Sequence, residues 1–228
     1  MKDFLVAVFY DLNMLWIHAL LWLNCSRDIR GLENVPRKGA FILACNHLNN
    51  ADPPLLTEVT PRRIAWMAKM EWFRTPVVGG LFRMAGMVPV RRFEADLQAL
   101  RKAQEALNTG HVLGMFPEGT RSRSGGLGKG EPGSALIALR SGAPVVPVAI
   151  WGTENVKLPR DILRRNHAVI SFGKPFTLPR PRRITKQDVL DGTETIMRQI
   201  AALLPPPYRG SYADVAAPPV ATAAEGEK

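Results

Sequence analysis

The sequence predicts an α/β fold: a single layered domain with a central mixed, mostly parallel sheet flanked by helices, plus an N-terminal apolar, membrane-associated helix. Three observations predict it. The chain has 228 residues, a length that suits one domain or at most two small ones. Short apolar runs alternate with amphipathic or proline-opened helical stretches between residues 40 and 203. Phe4–Leu23 is a twenty-residue stretch whose only polar members are Asp11, Asn13 and His18.

The N-terminal stretch is long enough to span a bilayer, but Asp11 near its middle is costly in hydrocarbon. It has no small-residue cleavage site after Leu23, so it is not a secretory signal. Tyr10, Trp16 and Trp22 suit the lipid–water boundary. The expected element is a helix within residues 1–28 that lies in or partly enters one leaflet. The alternative is a helix packed on the domain.

The domain itself is expected over 29–210. Ala40–Cys45 reads as a buried strand. Pro53 and Pro54 open a helix with Asp52 at its N-cap. Strands follow at Arg63–Ala68 and Met87–Val90, with a helical Pro76–Ala85 between them. Ala95–Asn108 is an amphipathic helix, with Leu97, Leu100, Ala103 and Leu107 on one face and Gly110 closing it. Val112–Phe116 is a strand running into Pro117. Pro132–Arg140 is a helix closed by Gly142, and Val145–Ile150 and Ala168–Phe172 are strands. Thr185 with Asp188 makes a capping box for a last helix. The tail, 211–228, turns Ala/Pro/Glu-rich from Ala213 onward and is expected to be disordered.

Composition narrows the function classes. With 46% hydrophobic residues a core can form, and two cysteines exclude a disulfide framework or a cysteine-based zinc site. The cysteine usage fits a reducing, cytosol-facing location. The four histidines show no metal-ligand spacing. The net charge is +10 and the pI about 10.1, which points to an anionic partner. Lys157–Lys186 holds nine Lys/Arg and one acid, Asp161, carrying +8 of that charge. It is either an ordinary solvated surface or a patch that meets anionic lipid, each basic residue there being worth about 1 kcal/mol.

Three short segments carry chemistry, each at the carboxyl end of a predicted strand, where open α/β sheets place ligands. The first is Asn46-His47-Leu48-Asn49-Asn50-Ala51-Asp52. On a regular helix His47 and Asp52 point about 140° apart, so they meet only if the backbone turns between them. Asn49-Asn50 is turn-prone, and Asp52 before Pro53 is pushed out of the helical region. A carboxylate on one imidazole nitrogen fixes the tautomer and makes the other nitrogen a general base. The bland reading is a helix cap beside a surface histidine. The second segment is Phe116-Pro117-Glu118-Gly119-Thr120-Arg121-Ser122, in which Pro and Gly fix the path of an acid and a base, and Arg121 offers a fork for phosphate. The third is Gly86-Met87-Val88-Pro89-Val90-Arg91-Arg92, a short strand ending in paired arginines.

Together these resemble the motifs of the glycerolipid acyltransferase family, of the lysophosphatidic acid acyltransferase type. The family's Asn-His followed by Asp matches Asn46, His47 and Asp52. Its Gly followed after a short strand by Arg matches Gly86 and Arg92, its Phe-Pro-Glu-Gly-Thr-Arg-Ser is present in full, and its Pro-centred apolar run matches Val145–Val148. Arg30–Pro36 and Ala68–Glu71 also resemble the family, and the likeness runs from about Ile29 to Phe176. One departure is Asn49, where many members have Ser.

The resemblance implies transfer of a fatty acyl group from an acyl thioester, on coenzyme A or acyl carrier protein, to the sn-2 hydroxyl of 1-acyl-sn-glycerol 3-phosphate, giving phosphatidic acid. His47 is then the base and Asp52 its orienter. Arg92, Arg121 and Lys69 are candidates for the acceptor phosphate, and Glu118, Gly119 and Thr120 belong to the acceptor site. No cofactor or metal is expected, and no nucleic-acid partner. The expected location is the cytoplasmic face of the cell membrane, with its anionic surface as a partner. A related enzyme acting on another lysolipid or a glycolipid, and a non-catalytic basic lipid-binding protein, are the rival readings. A nucleoside-triphosphate loop is excluded at Gly125–Gly130, because the residue after Lys129 is glycine rather than Ser or Thr. That run reads as a flexible loop.

Overall fold

Phe41–Cys45 (β2) is completely excluded from solvent along its whole length. An apolar strand buried on both faces belongs in the middle of a layered α/β domain, and β2 sits there in the computed structural model. The structure describes residues 25–91, 96–156 and 166–215. Among them, seven strands form one sheet: β1 (Cys25–Arg30), β2, β3 (Ile64–Lys69), β4 (Val88–Val90), β5 (Val112–Met115), β6 (Val145–Trp151) and β7 (Asn166–Phe172). Their order is β1-β7-β6-β2-β5-β3-β4. Strands β6, β2, β5, β3 and β4 run parallel; β7 is antiparallel to β6, and β1 is parallel to β7. The sheet is therefore mixed and mostly parallel, as expected.

Alternation along β2 divides the core into two layers. Ile42 and Ala44 face α3 (Leu97–Asn108), α4 (Pro132–Ser141) and α5 (Lys186–Leu203), packing with Ala103, Ala138 and Ile196 among others. Phe41, Leu43 and Cys45 face the other way, into a cluster with Leu55 and Leu56 of α1 (Asp52–Val59). A further helix, α2 (Pro76–Met84), follows a 3-10 turn at Met70–Arg74. The capping box at the start of α5 is present: Thr185 Oγ1 accepts from Asp188 N at 3.2 Å and Asp188 Oδ2 from Thr185 N at 2.7 Å.

Several expectations change. Residues 25–28 belong to strand β1 rather than to an N-terminal helix, because the backbone from Cys25 to Arg30 pairs in register with Asn166–Ser171. The tail begins later than residue 211: Gly210–Tyr212 is a 3-10 turn, and Tyr212 is buried in the core. Asp52 does not cap α1. Ala51 is the N-cap residue, and the Asp52 carboxylate turns back into the preceding loop. Phe4–Leu23, Arg92 and residues 216–228 lie outside the described residues. Among those described, no helix is long and apolar enough to cross a membrane.

Part of the basic run Lys157–Lys186, residues 157–165, lies outside the described residues. Val156 and Asn166, which bound residues 157–165, lie at the carboxyl end of β6, the end that carries His47. Lys174, Arg180, Arg182, Arg183 and Lys186 are exposed beyond β7. There Phe176 bridges to Val145 at the start of β6, and Arg180 approaches Gly142. Seven residues of strand, about 20 Å, separate these basic residues from the His47 end of the sheet. Five of the nine charges thus sit at the end of the sheet opposite His47.

Candidate active site

The loop after β2 lies between the loops after β5 and β6, because β2 pairs with both strands. Asn46 begins it as a side-chain extension of the sheet. Its Oδ1 accepts from Ile150 N and its Nδ2 donates to Ile150 O, both at 2.8 Å. The chain then turns: Asp52 N donates to Asn49 O at 3.1 Å, and Ala51 N to Asn49 Oδ1 at 3.0 Å. This turn brings Asp52 onto His47, with Asp52 Oδ2 2.8 Å from His47 Nδ1. The same oxygen accepts from Leu48 N and Asn49 N, each at 2.7 Å.

These contacts determine the imidazole's tautomer. A carboxylate in this cage of N–H donors only accepts, so Nδ1 carries the hydrogen and Nε2 keeps its lone pair. Among the described residues no group hydrogen-bonds Nε2. His47 is 7% exposed and Asp52 is 0% exposed. Phe116 stacks on the imidazole at 3.9 Å between centroids, and Trp66 stacks on Phe116 at 5.0 Å. The imidazole is thus held both at its edge and at its face.

Glu118 is 5% exposed and has no free oxygen. Its Oε1 accepts from His47 N at 2.9 Å, and its Oε2 from Gly128 N at 2.8 Å. Burial raises its pKa, with the charge of Asp52 adding to the effect, while the two N–H donors oppose it. Its place is therefore structural support of the His47 backbone. A second tie, Ser122 N to His47 O at 2.8 Å, joins the same two loops.

Gly119, at φ +68°, lines a cavity of about 560 Å³ between α3 and α4 and the ends of β3, β4 and β5. Phe116 and Pro117 also line it, and much of the remaining wall is apolar, including Met67, Leu100 and Ile137. Thr120 and Arg121 are exposed in the loop that follows. Lys69 is half-buried at the end of β3 and pairs with Glu71 at 3.1 Å. Arg91, at the cavity wall, immediately precedes Arg92. Among the described residues no cluster of His, Cys, Asp or Glu could hold a metal ion.

Sequence reasoning overlooks three supports. Phe116 under the imidazole and the rung made by Asn46 are motif residues whose contacts are visible only in three dimensions. The third is the glycine-rich run, which is no loose loop: Leu127 is buried, and Gly128 supplies the amide that holds Glu118.

The family model of the acyltransferases matches residues 26–151, more than half of the chain. The chain belongs to that acyltransferase family. Its relatives include a chloroplastic 1-acyl-sn-glycerol-3-phosphate acyltransferase of Brassica napus, 32% identical over 145 residues, which are 62% of this chain and 42% of that protein. The 1-acyl-sn-glycerol-3-phosphate acyltransferase of Bacillus subtilis is 28% identical over 161 residues, 70% of this chain and 78% of that protein. The crystal structure of the Thermotoga maritima 1-acyl-sn-glycerophosphate acyltransferase superposes with a TM-score of 0.67 at 27% identity, covering 89% of this chain and 83% of that one. The chain spans about half the length of its plant relatives, 42% of the Brassica napus protein and 47% of one from Arabidopsis thaliana.

Proposed function

We propose that this protein transfers a fatty acyl group from an acyl thioester to the free sn-2 hydroxyl of 1-acyl-sn-glycerol 3-phosphate, producing phosphatidic acid. The observation that carries the reading is the 2.8 Å contact between His47 Nδ1 and Asp52 Oδ2, which leaves Nε2 as a base with no partner among the described residues. The names of the relatives supply the acceptor.

The chemistry follows from the pair. His47 Nε2 takes the proton of the acceptor hydroxyl as its oxygen attacks the thioester carbonyl, and Asp52 stabilises the imidazolium that forms. The tetrahedral intermediate collapses with loss of the thiolate, which takes the proton back from His47. A thioester is already activated, so no covalent acyl-enzyme is needed. Arg121 offers two parallel N–H groups to the acceptor phosphate, and Arg92 and Lys69 are further candidates. The apolar cavity beside Phe116 suits a hydrocarbon chain. The donor is acyl-coenzyme A or acyl carrier protein, no cofactor is bound, and the enzyme works at the cytoplasmic, anionic face of a membrane.

The test is to incubate the purified protein with lysophosphatidic acid and acyl-coenzyme A, follow thiol release and identify the lipid product by mass spectrometry. Phosphatidic acid formed with stoichiometric thiol is the expected result. No release with any lysolipid acceptor, from either thioester donor, would leave a basic lipid-binding protein instead.

A further inference from the structure

After α5 the chain returns to the active-site end in two 3-10 turns, Pro206–Tyr208 and Gly210–Tyr212. This strap grips the glycine-rich run from both sides of one residue. Leu127 N donates to Tyr208 O at 2.8 Å, and Ser211 N donates to Leu127 O at 2.9 Å. Contact is too close for a side chain at Gly210: at φ +49°, a Cβ there would stand 2.3 Å from Leu127 O. Arg209, 5% exposed, anchors the strap by donating to the carbonyls of Leu204 and Val215. The Tyr208 hydroxyl reaches in another direction and donates to Glu154 Oε1 at 2.6 Å. Tyr208 therefore holds the loop after β5 with its backbone and the turn after β6 with its side chain.

Both of those segments end on the catalytic pair. From Leu127 the next residue, Gly128, donates to Glu118 Oε2, and Glu118 Oε1 accepts from His47 N. From Glu154 the turn Thr153–Asn155 closes with Val156 N on Thr153 O at 2.9 Å. Val156 O accepts from Asn49 Nδ2 at 3.0 Å, and Asn49 N donates to Asp52 Oδ2 at 2.7 Å. One route ends at the base and the other at its orienting carboxylate.

We propose that Tyr208 is a positioning residue for acyl transfer, bridging the two loops that flank His47 and so fixing the imidazole relative to Asp52. The inference rests on His47 acting as the base. Burial and the neighbouring Glu154 carboxylate push the Tyr208 phenol up to about 12, so it remains a donor at every pH at which such an enzyme works. Small displacements of a reacting group are costly, about a hundredfold for 1 Å, so slackening one of two ties should show in turnover.

The experiment is a double-mutant cycle of Tyr208→Phe and Glu154→Ala, with Glu154→Gln as the conservative control. Each single variant of the cycle should lower kcat about tenfold while both substrate KM values stay within about twofold. The double variant should be no slower than the slower single one. Glu154→Gln should keep near-normal kcat, since an amide oxygen still accepts the phenol's hydrogen. The imidazole resonances of His47 should shift in Tyr208→Phe, and those of exposed His111 and His167 should not. Wild-type kcat in Tyr208→Phe, additive losses, or unmoved His47 resonances would each overturn the proposal. The resonances need no substrate. If the wild-type protein fails to acylate lysophosphatidic acid, that reading of the acceptor falls, and the spectra alone decide whether Tyr208 holds His47.

Discussion

Glu118 Oε1 accepts a hydrogen bond from the backbone N–H of His47 at 2.9 Å, so the acid of one motif holds the main chain of another, seventy-one residues away. Its second oxygen is taken by Gly128 N. The carboxylate therefore acts as a rivet between loops.

This rivet titrates. Burial holds the Glu118 carboxyl above its ordinary value of 4.5. A carboxyl whose folded value exceeds its unfolded one binds more protons in the folded chain, so its ionisation weakens the fold. Its contribution falls as pH rises from about 4.5 through the raised value. Thermal melts of wild type and Glu118→Gln check this. The difference, wild type minus Gln, should be largest at the acidic end and should shrink as pH rises through that window. A difference that grows with pH there contradicts the assignment.

Gly114 in β5 leaves no room for a methyl group: a Cβ would stand 2.5 Å from Ile64 Cγ2 and 2.5 Å from Trp66 Cε3. Trp66 backs Phe116, and Phe116 backs the imidazole. Gly114→Ala should cost about 1–3 kcal/mol through overpacking, a drop of several degrees in Tm for a chain of this size. It should also lower kcat, because the displaced indole moves the stack. A lowered Tm with unchanged kcat would show that the stack is not needed for turnover.

Arg121 is exposed and, among the described residues, makes no side-chain hydrogen bond or ion pair, so Arg121→Ala should leave Tm unchanged. If its guanidinium grips the acceptor phosphate, loss of a charge-assisted bond worth about 1.5–3 kcal/mol raises the acceptor KM by about tenfold or more. Steady-state kinetics with each substrate varied in turn make the check. An effect confined to the thioester donor would reassign the residue.

Much of this architecture is legible from residues alone, for identifiable reasons. β2, β5 and β6 are apolar runs ending at Cys45, Met115 and Trp151, and a run buried on both faces announces itself. β1 escapes because Cys-Ser-Arg-Asp-Ile-Arg is polar and, among the described residues, lies at the sheet's edge beside β7 alone. The meeting of His47 and Asp52 is readable only as a condition, that the chain must turn at Asn49-Asn50; the turn itself is held by Asn49 Oδ1 on Ala51 N. Gly128 and Tyr208 are beyond such reading. Their partners, Glu118 and Glu154, lie 10 and 54 residues away, and no periodicity joins them. Nor does the charge run Lys157–Lys186 show by itself that its described members, from Lys174 to Lys186, lie at the end of the sheet opposite His47.

The most direct test of the central claim is the turnover of His47→Ala, measured with lysophosphatidic acid and acyl-coenzyme A beside its thermal melt. Removing a general base should cost about 10²–10⁴-fold in kcat, with a folded protein and a cooperative melt. A folded His47→Ala protein that turns over within a few fold of wild type would contradict the claim that this imidazole takes the acceptor's proton.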